Sequence, residues 1–454
     1  MSSASIKKQA ITGTVWTIFG YGTSQCLRLG SNLILTRLLV PELFGLMALV
    51  NVFLIGLNLF SDVGIVPSII QNKRGEDQEF LNTAWTIQVI RGFGLWIGCL
   101  LISFPIAQFY EEPRLQILLP IVGLNSIFNG FNSTNVAVLQ RRMEVGKSIR
   151  FELGTQIIAL VVMVTWAWIS PSIWALVGGN LVAGLAEMIW SHHLLRKSSQ
   201  RFAWNKTAVA EITSFGKWIF VSTAMTFLAS EIDRLMLGKL FTLEMLSFYI
   251  IAFTFADIPE QIVSKLTYQV LYPVIVRSVS LPRKVLREKI NKPRWLILWG
   301  MAIVLTILVS FGDFLIETLY DARYVQATWI LPILALGLWP LILSSTSEKT
   351  LLAVGSPNYA AGGNFLKFIY MVIALPLGFH FYGVLGAIIA IAFNDLPFYV
   401  LVSYGLCCEK LSTLKQDMAA TLSLVVLLAA VLAGRYALGL GLPIDAILLA
   451  GGGG

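Results

Sequence analysis

Leu43-Phe-Gly-Leu-Met-Ala-Leu-Val-Asn-Val-Phe-Leu-Ile-Gly-Leu-Asn-Leu-Phe60 runs without a charge, with Arg37 upstream and Lys73-Arg74 downstream. A bilayer core takes about 20 apolar residues as a helix, so this run reads as the heart of a membrane span over about 43–70. Similar apolar segments repeat from Ile11 to the C-terminus, and Lys and Arg crowd into every second gap between them. One set of gaps holds Lys7–Lys8, Lys73–Arg74, Arg141–Arg142–Lys147, Arg196–Lys197–Arg201–Lys206, the stretch Arg277 to Arg294, and Lys410–Lys415. The alternate set holds Arg37, Arg114, Lys239, Arg323 and Arg435, a ratio of about 20 to five. Short loops rich in Lys and Arg stay on the cytoplasmic side. The expected molecule is therefore an all-α, polytopic membrane protein with a cytoplasmic N-terminus.

Composition agrees. Of 454 residues, 56% are hydrophobic and 13% charged, with mean hydropathy +0.76, against about 25% charged in soluble domains. The net charge of +8 follows from the basic loops beside the spans, which argues against nucleic acid as a partner. Cys26, Cys99, Cys407 and Cys408 lie in or at the ends of apolar segments without CxxC spacing, which supports neither a disulfide framework nor a metal site and reads as small buried apolar residues. Gly146-Lys147-Ser148 lacks the earlier glycine of a P-loop, so neither a nucleotide site nor a cofactor is expected. Lys7–Lys8 precede an apolar run without a small-residue cleavage site, which reads as a retained first helix.

The first six spans are expected over about 12–38, 43–70, 81–109, 115–139, 148–169 and 173–195. Six more follow over about 213–240, 243–273, 293–319, 325–353, 358–381 and 383–407, then one over 416–437. The segment Leu442 to Gly454 is short for a fourteenth. This divides the chain into an N-terminal six-helix lobe (1–206), a C-terminal six-helix lobe (207–410) and additional C-terminal helices (411–454), about 14 helices in all.

The two blocks look related. Arg37-Leu-Leu-Val-Pro-Glu42-Leu-Phe-Gly45 aligns with Lys239-Leu-Phe-Thr-Leu-Glu244-Met-Leu-Ser247, and the same register sets Phe53 opposite Phe255. Trp174-Ala-Leu-Val-Gly178 likewise resembles Tyr382-Gly-Val-Leu-Gly386. An even number of helices per block makes this a parallel repeat, as found in transporters.

Thr36-Arg-Leu-Leu-Val-Pro-Glu-Leu-Phe-Gly-Leu-Met-Ala48, Ser61-Asp-Val-Gly64 and Ile70-Gln71 resemble the polysaccharide transporter (oligosaccharide flippase) family. So do Asp233-Arg-Leu-Met-Leu-Gly-Lys-Leu240, Tyr249-Ile-Ile-Ala252 and Gly355-Ser-Pro-Asn-Tyr-Ala-Ala361. That family belongs to a superfamily with multidrug extruders and the lipid II flippase. The resemblance implies two lobes and outward movement of polyprenyl-diphosphate-linked oligosaccharide across a bacterial inner membrane, without enzymatic activity. Membrane lipids, H+ or Na+ and polysaccharide assembly proteins are the implied further partners.

Polar residues at bilayer depth are costly and normally face a cavity or a partner. Tyr21, Gln25, Arg28 and Asn32 share one face of the first helix; Asn51, Asn58 and Asp62 one face of the second. Gln88 and Arg91 share a face of the third, and Asn125, Asn129 and Asn132 one side of the fourth. In the second block, Ser222, Thr226, Ser230 and Asp233 line the seventh helix beside Arg234. Asp257, Glu260, Gln261, Ser264, Lys265 and Tyr268 mark the eighth, Lys367 the eleventh and Asp395 the twelfth.

These stripes predict a hydrophilic cleft between lobes. Arg28, Arg91, Arg234 and Lys367 suit a diphosphate, because guanidinium groups grip phosphate oxygens two at a time; Gln25, Asn58, Asn129 and Asn132 complete the expected substrate-binding set. Pairing of each cation with a buried acid, such as Arg28 with Asp62 or Arg234 with Asp233, is the competing reading. Asp62, Asp257, Glu260 and Asp395 are the candidate ion-coupling carboxylates. Asn132-Ser-Thr134 matches a glycosylation sequon but falls inside an expected helix. Arg277–Arg294 is expected to touch lipid head groups. A drug or organic-cation extruder, favoured by an acidic cavity, is the rival function; a membrane-embedded polymerase or glycosyltransferase would want a large extramembrane loop, which this chain lacks.

Overall fold

The computed structural model describes residues 3–62, 64–142, 144–195, 200–443 and 445, with backbone alone at 3–15, 18, 214–226, 229, 269–270, 273 and 277. Ser222, Thr226 and Arg277 therefore fall on backbone-only positions. Arg196, Lys197 and most of the expected last segment lie outside the described residues.

Helices make up the fold, and among the described residues nine are long and apolar enough to cross a bilayer. By contacts the chain divides into two units, Met1–Phe227 and Leu228–Gly454. The division falls inside one long helix, α9 (Lys206–Leu240), rather than at the basic linker.

The first unit comprises α1 (Ser3–Leu38), α2 (Pro41–Phe60), α3 (Ile65–Gln71), α4 (Gln78–Tyr110), α5 (Arg114–Phe131), α6 (Asn135–Arg141), α7 (Val145–Ile169), α8 (Ile173–His192) and the start of α9. Two expected spans are broken here. The span 43–70 stops at Phe60 and resumes at Ile65, because Gly64 adopts φ 70°, in the left-handed region that glycine enters without cost. Asp62 Oδ1 accepts a hydrogen bond from the Gly64 N–H at 2.9 Å and fixes that turn. The span 115–139 breaks at Asn132–Thr134 between α5 and α6. The sequon Asn132-Ser-Thr134 thus lies in an interruption, not within a helix.

Both breaks free backbone carbonyls that must find donors. Gln88 Nε2 donates to the carbonyls of Asn129 (2.8 Å), Gly130 (3.3 Å) and Asn132 (3.1 Å), closing the end of α5. Its reach depends on α4 lying almost backbone to backbone against α5: a Cβ on Gly92 would stand 2.5 Å from the Ser126 carbonyl oxygen. Arg91 does the same for α2, donating to the Asn58 carbonyl at 2.7 Å and to Ser61 Oγ at 2.9 Å. Arg141 Nη1, at the end of α6, donates to the carbonyls of Ile69, Ile70 and Asn72 and closes α3. The apolar core beneath joins Ile65 and Ile69, Phe80 and Ala84, Ala137 and Val138, and Ala208 and Ile212.

The second unit holds the end of α9, α10 (Leu243–Leu266), a π-helical turn (Thr267–Leu271), α11 (Tyr272–Ser278), α12 (Arg283–Leu319), α13 (Ala327–Ala353), α14 (Asn358–Ala392), α15 (Leu396–Cys408) and α16 (Leu414–Ala437). Thr242 caps α10 by accepting from the Met245 N–H. Within α14 the chain reverses at Gly383, φ 59° and ψ −141°, between the expected eleventh and twelfth spans. Gly378 and Gly386 face each other across that reversal, and a Cβ on Gly386 would overlap the Gly378 carbonyl oxygen. The twelfth expected span is itself interrupted, at Phe393–Asp395.

α13 is the most enclosed of the nine candidate spans among the described residues, with 78% of its membrane window buried. It packs with α12 and α16 around Leu298, Leu305, Trp339, Ile342 and Leu424. Arg294 sits in this packing, fully buried and 2.6 Å from Asp417. That corrects the expectation of lipid contact for the whole Arg277–Arg294 stretch. From Arg283 onward it is the first part of one 37-residue helix, and Arg294 turns inward because α16 supplies its carboxylate.

Candidate functional site

Each unit contains a polar cavity at an interruption in its helices. In the first unit a cavity of about 370 Å³ is lined by Asn58 and Asp62 from the α2–α3 break, Gln88 and Arg91 from α4, Asn129 and Asn132 from the α5–α6 break, and Glu187 from α8. Asn132 Nδ2 donates to Glu187 Oε1 at 3.2 Å, while its Oδ1 is buried without a hydrogen-bond partner. Asn129 is exposed and its Oδ1 accepts from Asn132 at 3.4 Å. Asn58 Nδ2 is turned back onto the Leu54 carbonyl, 2.9 Å away. The wall thus alternates amides, carboxylates and a guanidinium, able to donate and accept hydrogen bonds along one surface.

Gln25 and Arg28 are apart from that lining. Gln25 donates to the Tyr21 hydroxyl at 2.8 Å, one turn away on α1, and Arg28 is exposed. Arg91 is drawn to Ser61 and the Asn58 carbonyl, so the guanidinium expected for a phosphate holds a helix end.

In the second unit a cavity of about 290 Å³ gathers Glu231, Asp233 and Arg234 from α9, Asp257 and Glu260 from α10, Lys367 from α14 and Asp395 from the α14–α15 break. Gly337 of α13 lets the backbone of Ala392 approach: a Cβ there would overlap the Ala392 carbonyl oxygen. This brings Asp395, three residues on, to the cavity wall. Lys367 Nζ stands 2.7 Å from Asp395 Oδ1. Arg234 pairs with Glu231 and lies over the Phe253 ring, 4.9 Å from its centroid. Asp257 accepts from Gln261 Nε2, and Asp233 accepts from the Tyr249 hydroxyl.

The expectation of a cation-rich lining meets a different balance. Both cations of the second cavity are paired with carboxylates, and acids outnumber them. Arg234 takes Glu231 rather than Asp233, because a residue three positions earlier lies on the same helical face. Glu42 pairs with Arg114. Glu187 and Glu231 were missed by the sequence reading. Each stands in a helix of predominantly apolar composition, so the rule that picked out Asp257 and Glu260 applies to them equally.

A family model described as polysaccharide biosynthesis protein matches residues 34–329. The chain belongs to that family. The chain is 21% identical over 358 residues to the teichuronic acid biosynthesis protein TuaB of Bacillus subtilis (strain 168), covering 78% of this chain and 74% of that one. It is 22% identical over 274 residues to the lipopolysaccharide biosynthesis protein WzxC of Escherichia coli (strain K12), covering 60% of this chain and 56% of that one. Among solved structures its fold is similar to the lipid II flippase MurJ in an inward closed conformation, with a TM-score of 0.72, 15% identity and 92% of each chain covered. An inward-facing multidrug resistance transporter of the MATE family superposes with a TM-score of 0.68 at 12% identity, over 87% of this chain and 96% of that one. The chain is thus a multi-pass membrane protein that shares its fold with these transporters.

Proposed function

We propose that this protein is an inner-membrane flippase, not an enzyme, which carries a polyprenyl-diphosphate-linked oligosaccharide outward by alternating access between two duplicated halves. The cavity at the paired helix interruptions of the first unit is the observation that carries this reading. Sugars present neighbouring hydroxyls that both donate and accept, and Asn58, Gln88, Asn129, Asn132, Asp62 and Glu187 offer planar groups of matching character around one space. Its volume lies in the usual range of small-molecule sites, about 300–1,000 Å³. The relatives named for teichuronic acid and lipopolysaccharide biosynthesis, and the fold neighbour named as a lipid II flippase, point to substrates of the same chemical kind. In this reading Arg28 meets the diphosphate, the N-terminus is cytoplasmic, the carboxylates Asp257, Glu260 and Asp395 belong to ion coupling, and polysaccharide assembly proteins receive the product.

The test is complementation of a deletion strain with wild type or with the double variant Gln88→Ala/Asn132→Ala. The variant should remain in the membrane and fail to restore surface polysaccharide, with lipid-linked oligosaccharide accumulating on the cytoplasmic leaflet. Normal polysaccharide with the double variant removes the first cavity from the transport path.

The excess of carboxylates in the second unit's cavity favours one other reading, extrusion of an organic cation. It requires that the deletion strain become sensitive to cationic dyes while keeping its polysaccharide. The flippase reading expects the reverse.

A further inference from the structure

Another cavity of the second unit, about 390 Å³ in volume, opens beside the last turn of α10, the π-helical turn and α13. Lys265 and Lys349 line it together with Ser264, Thr267, Ser345 and Glu348. It shares no lining residue with the cavity around Lys367 and Asp395. Lys349 Nζ lies 3.2 Å from its neighbour Glu348. Two ammonium groups against one carboxylate leave the described lining one positive charge in excess, which suits an anion and disfavours a cation.

Thr267 begins the π-helical turn, in which the Tyr272 N–H reaches back five residues to the Thr267 carbonyl. Single turns of this kind inside α-helices occur frequently at functional sites. Thr254 of α10 and Thr346 of α13 satisfy their hydroxyls on the carbonyl four residues back, Ile250 and Ile342. Thr267 does not: it is 1% exposed, and its Oγ1 is buried without a hydrogen-bond partner. A buried hydroxyl in that state, in a wall that also holds two amines, calls for an acceptor.

The cavity lies at the level of a bilayer surface. Leu286 and Ile290, from the basic start of α12, share an apolar core with Leu271 and Leu351, while Lys284 and Lys289 beside them are exposed. Ile262 and Leu266, one helical turn apart and flanking Lys265, are exposed as well. A basic pocket between helices with apolar surface at its edge is a setting for a lipid head group.

We propose that this cavity binds the phosphate of an anionic phospholipid, with the acyl chains against Ile262 and Leu266. Lys265 and Lys349 act on the phosphate as point charges, and the Thr267 hydroxyl donates to one of its oxygens. The single negative charge of a phosphodiester matches the excess positive charge of the lining.

The full chain, delipidated in detergent, is titrated with phosphatidylglycerol, and the first bound lipid is counted by native mass spectrometry. Lys265→Gln/Lys349→Gln should weaken that binding about 30-fold, about fivefold for each amine. Thr267→Val keeps every charge and should weaken it about tenfold, the loss of one hydrogen bond to a charged group, without lowering the melting temperature of the lipid-free protein. Lys284→Gln/Lys289→Gln removes the same charge outside the cavity and should leave the affinity for the first lipid unchanged. Undiminished binding in the Lys265/Lys349 variant or in Thr267→Val overturns the proposal, as does an equal loss in the Lys284/Lys289 variant. Inorganic phosphate is the remaining arm: if at equal concentration it raises the melting temperature of wild type as much as phosphatidylglycerol does, the cavity takes the free anion and the lipid assignment falls.

Discussion

Lys367 Nζ lies 2.7 Å from Asp395 Oδ1, joining the middle of α14 to the break before α15 across 28 residues of chain. Their side chains are 15% and 10% exposed, so neither charge is left to bulk water. Removing one partner of such a pair strands the other, which costs about 3–5 kcal/mol, whereas removing both can be near neutral. Lys367→Met should therefore lower thermal stability strongly, and Lys367→Met/Asp395→Leu should recover most of the loss. Melting in detergent followed by tryptophan fluorescence checks this; a double variant as unstable as the single one contradicts it.

Arg294 and Asp417 are a deeper version of the same device. Their side chains are 0% and 2% exposed, and Arg294 also donates to Thr346 Oγ1, Gln416 Oε1 and the Leu343 carbonyl. Arg294→Met should cost about 3–5 kcal/mol by leaving the buried Asp417 with only the Tyr399 and Thr413 hydroxyls and no cation. Arg283→Met, which breaks the more exposed pair with Glu409 (39% and 25%), should cost less than about 1 kcal/mol. Denaturant midpoints of the two variants should rank in that order.

Arg28 and Arg234 were expected to act alike, and the structure separates them. Arg28 is exposed, while Arg234 is committed to Glu231. Arg28→Ala should leave the melting temperature unchanged and reduce export about tenfold, the equivalent of a 1.4 kcal/mol contact. Arg234→Ala should lower the melting temperature as well, because it strands Glu231. Surface polysaccharide and melting, measured on the same variants, decide between a ligand contact and a structural one.

The loop between α3 and α4 carries a pH-dependent contact. The Arg142 guanidinium hydrogen-bonds Glu76 and holds its carboxyl below the ordinary 4.5. Because the folded value is depressed, the stabilisation is complete above about pH 4.5 and is lost as pH falls through the folded value. Both side chains are 42% exposed, so the pair is worth about 1 kcal/mol at most. Glu76→Gln should melt about 2 °C or less below wild type at pH 7, and the gap should close below pH 4.

Much of this architecture is legible as pattern. The boundaries of α7 and α8 fall within a few residues of the apolar runs, since desolvation of the side chains alone sets them. Gly383 turns the chain where the eleventh and twelfth spans were divided. The breaks after Phe60 and Phe131 were not legible as breaks, because apolar residues continue on both sides. The signals were local, Ser61-Asp-Val-Gly64 and Asn132-Ser-Thr134, and they depend on donors from elsewhere. Arg91, Gln88 and Arg141 make those interruptions tolerable by taking up the freed carbonyls.

Read alone, the 454 residues establish a helical membrane protein of polysaccharide-transporter type, with the polar stripes that any transport path needs. That much follows from hydropathy, from the bias of Lys and Arg between alternate gaps, and from short motifs, all of which are properties of neighbours in one dimension. Which buried charges satisfy each other was decided by the tertiary structure. Arg294 meets Asp417, Lys367 meets Asp395 and Arg234 meets Glu231, because helix packing sets those distances and a buried charge is stable only beside the group that packing brings to it.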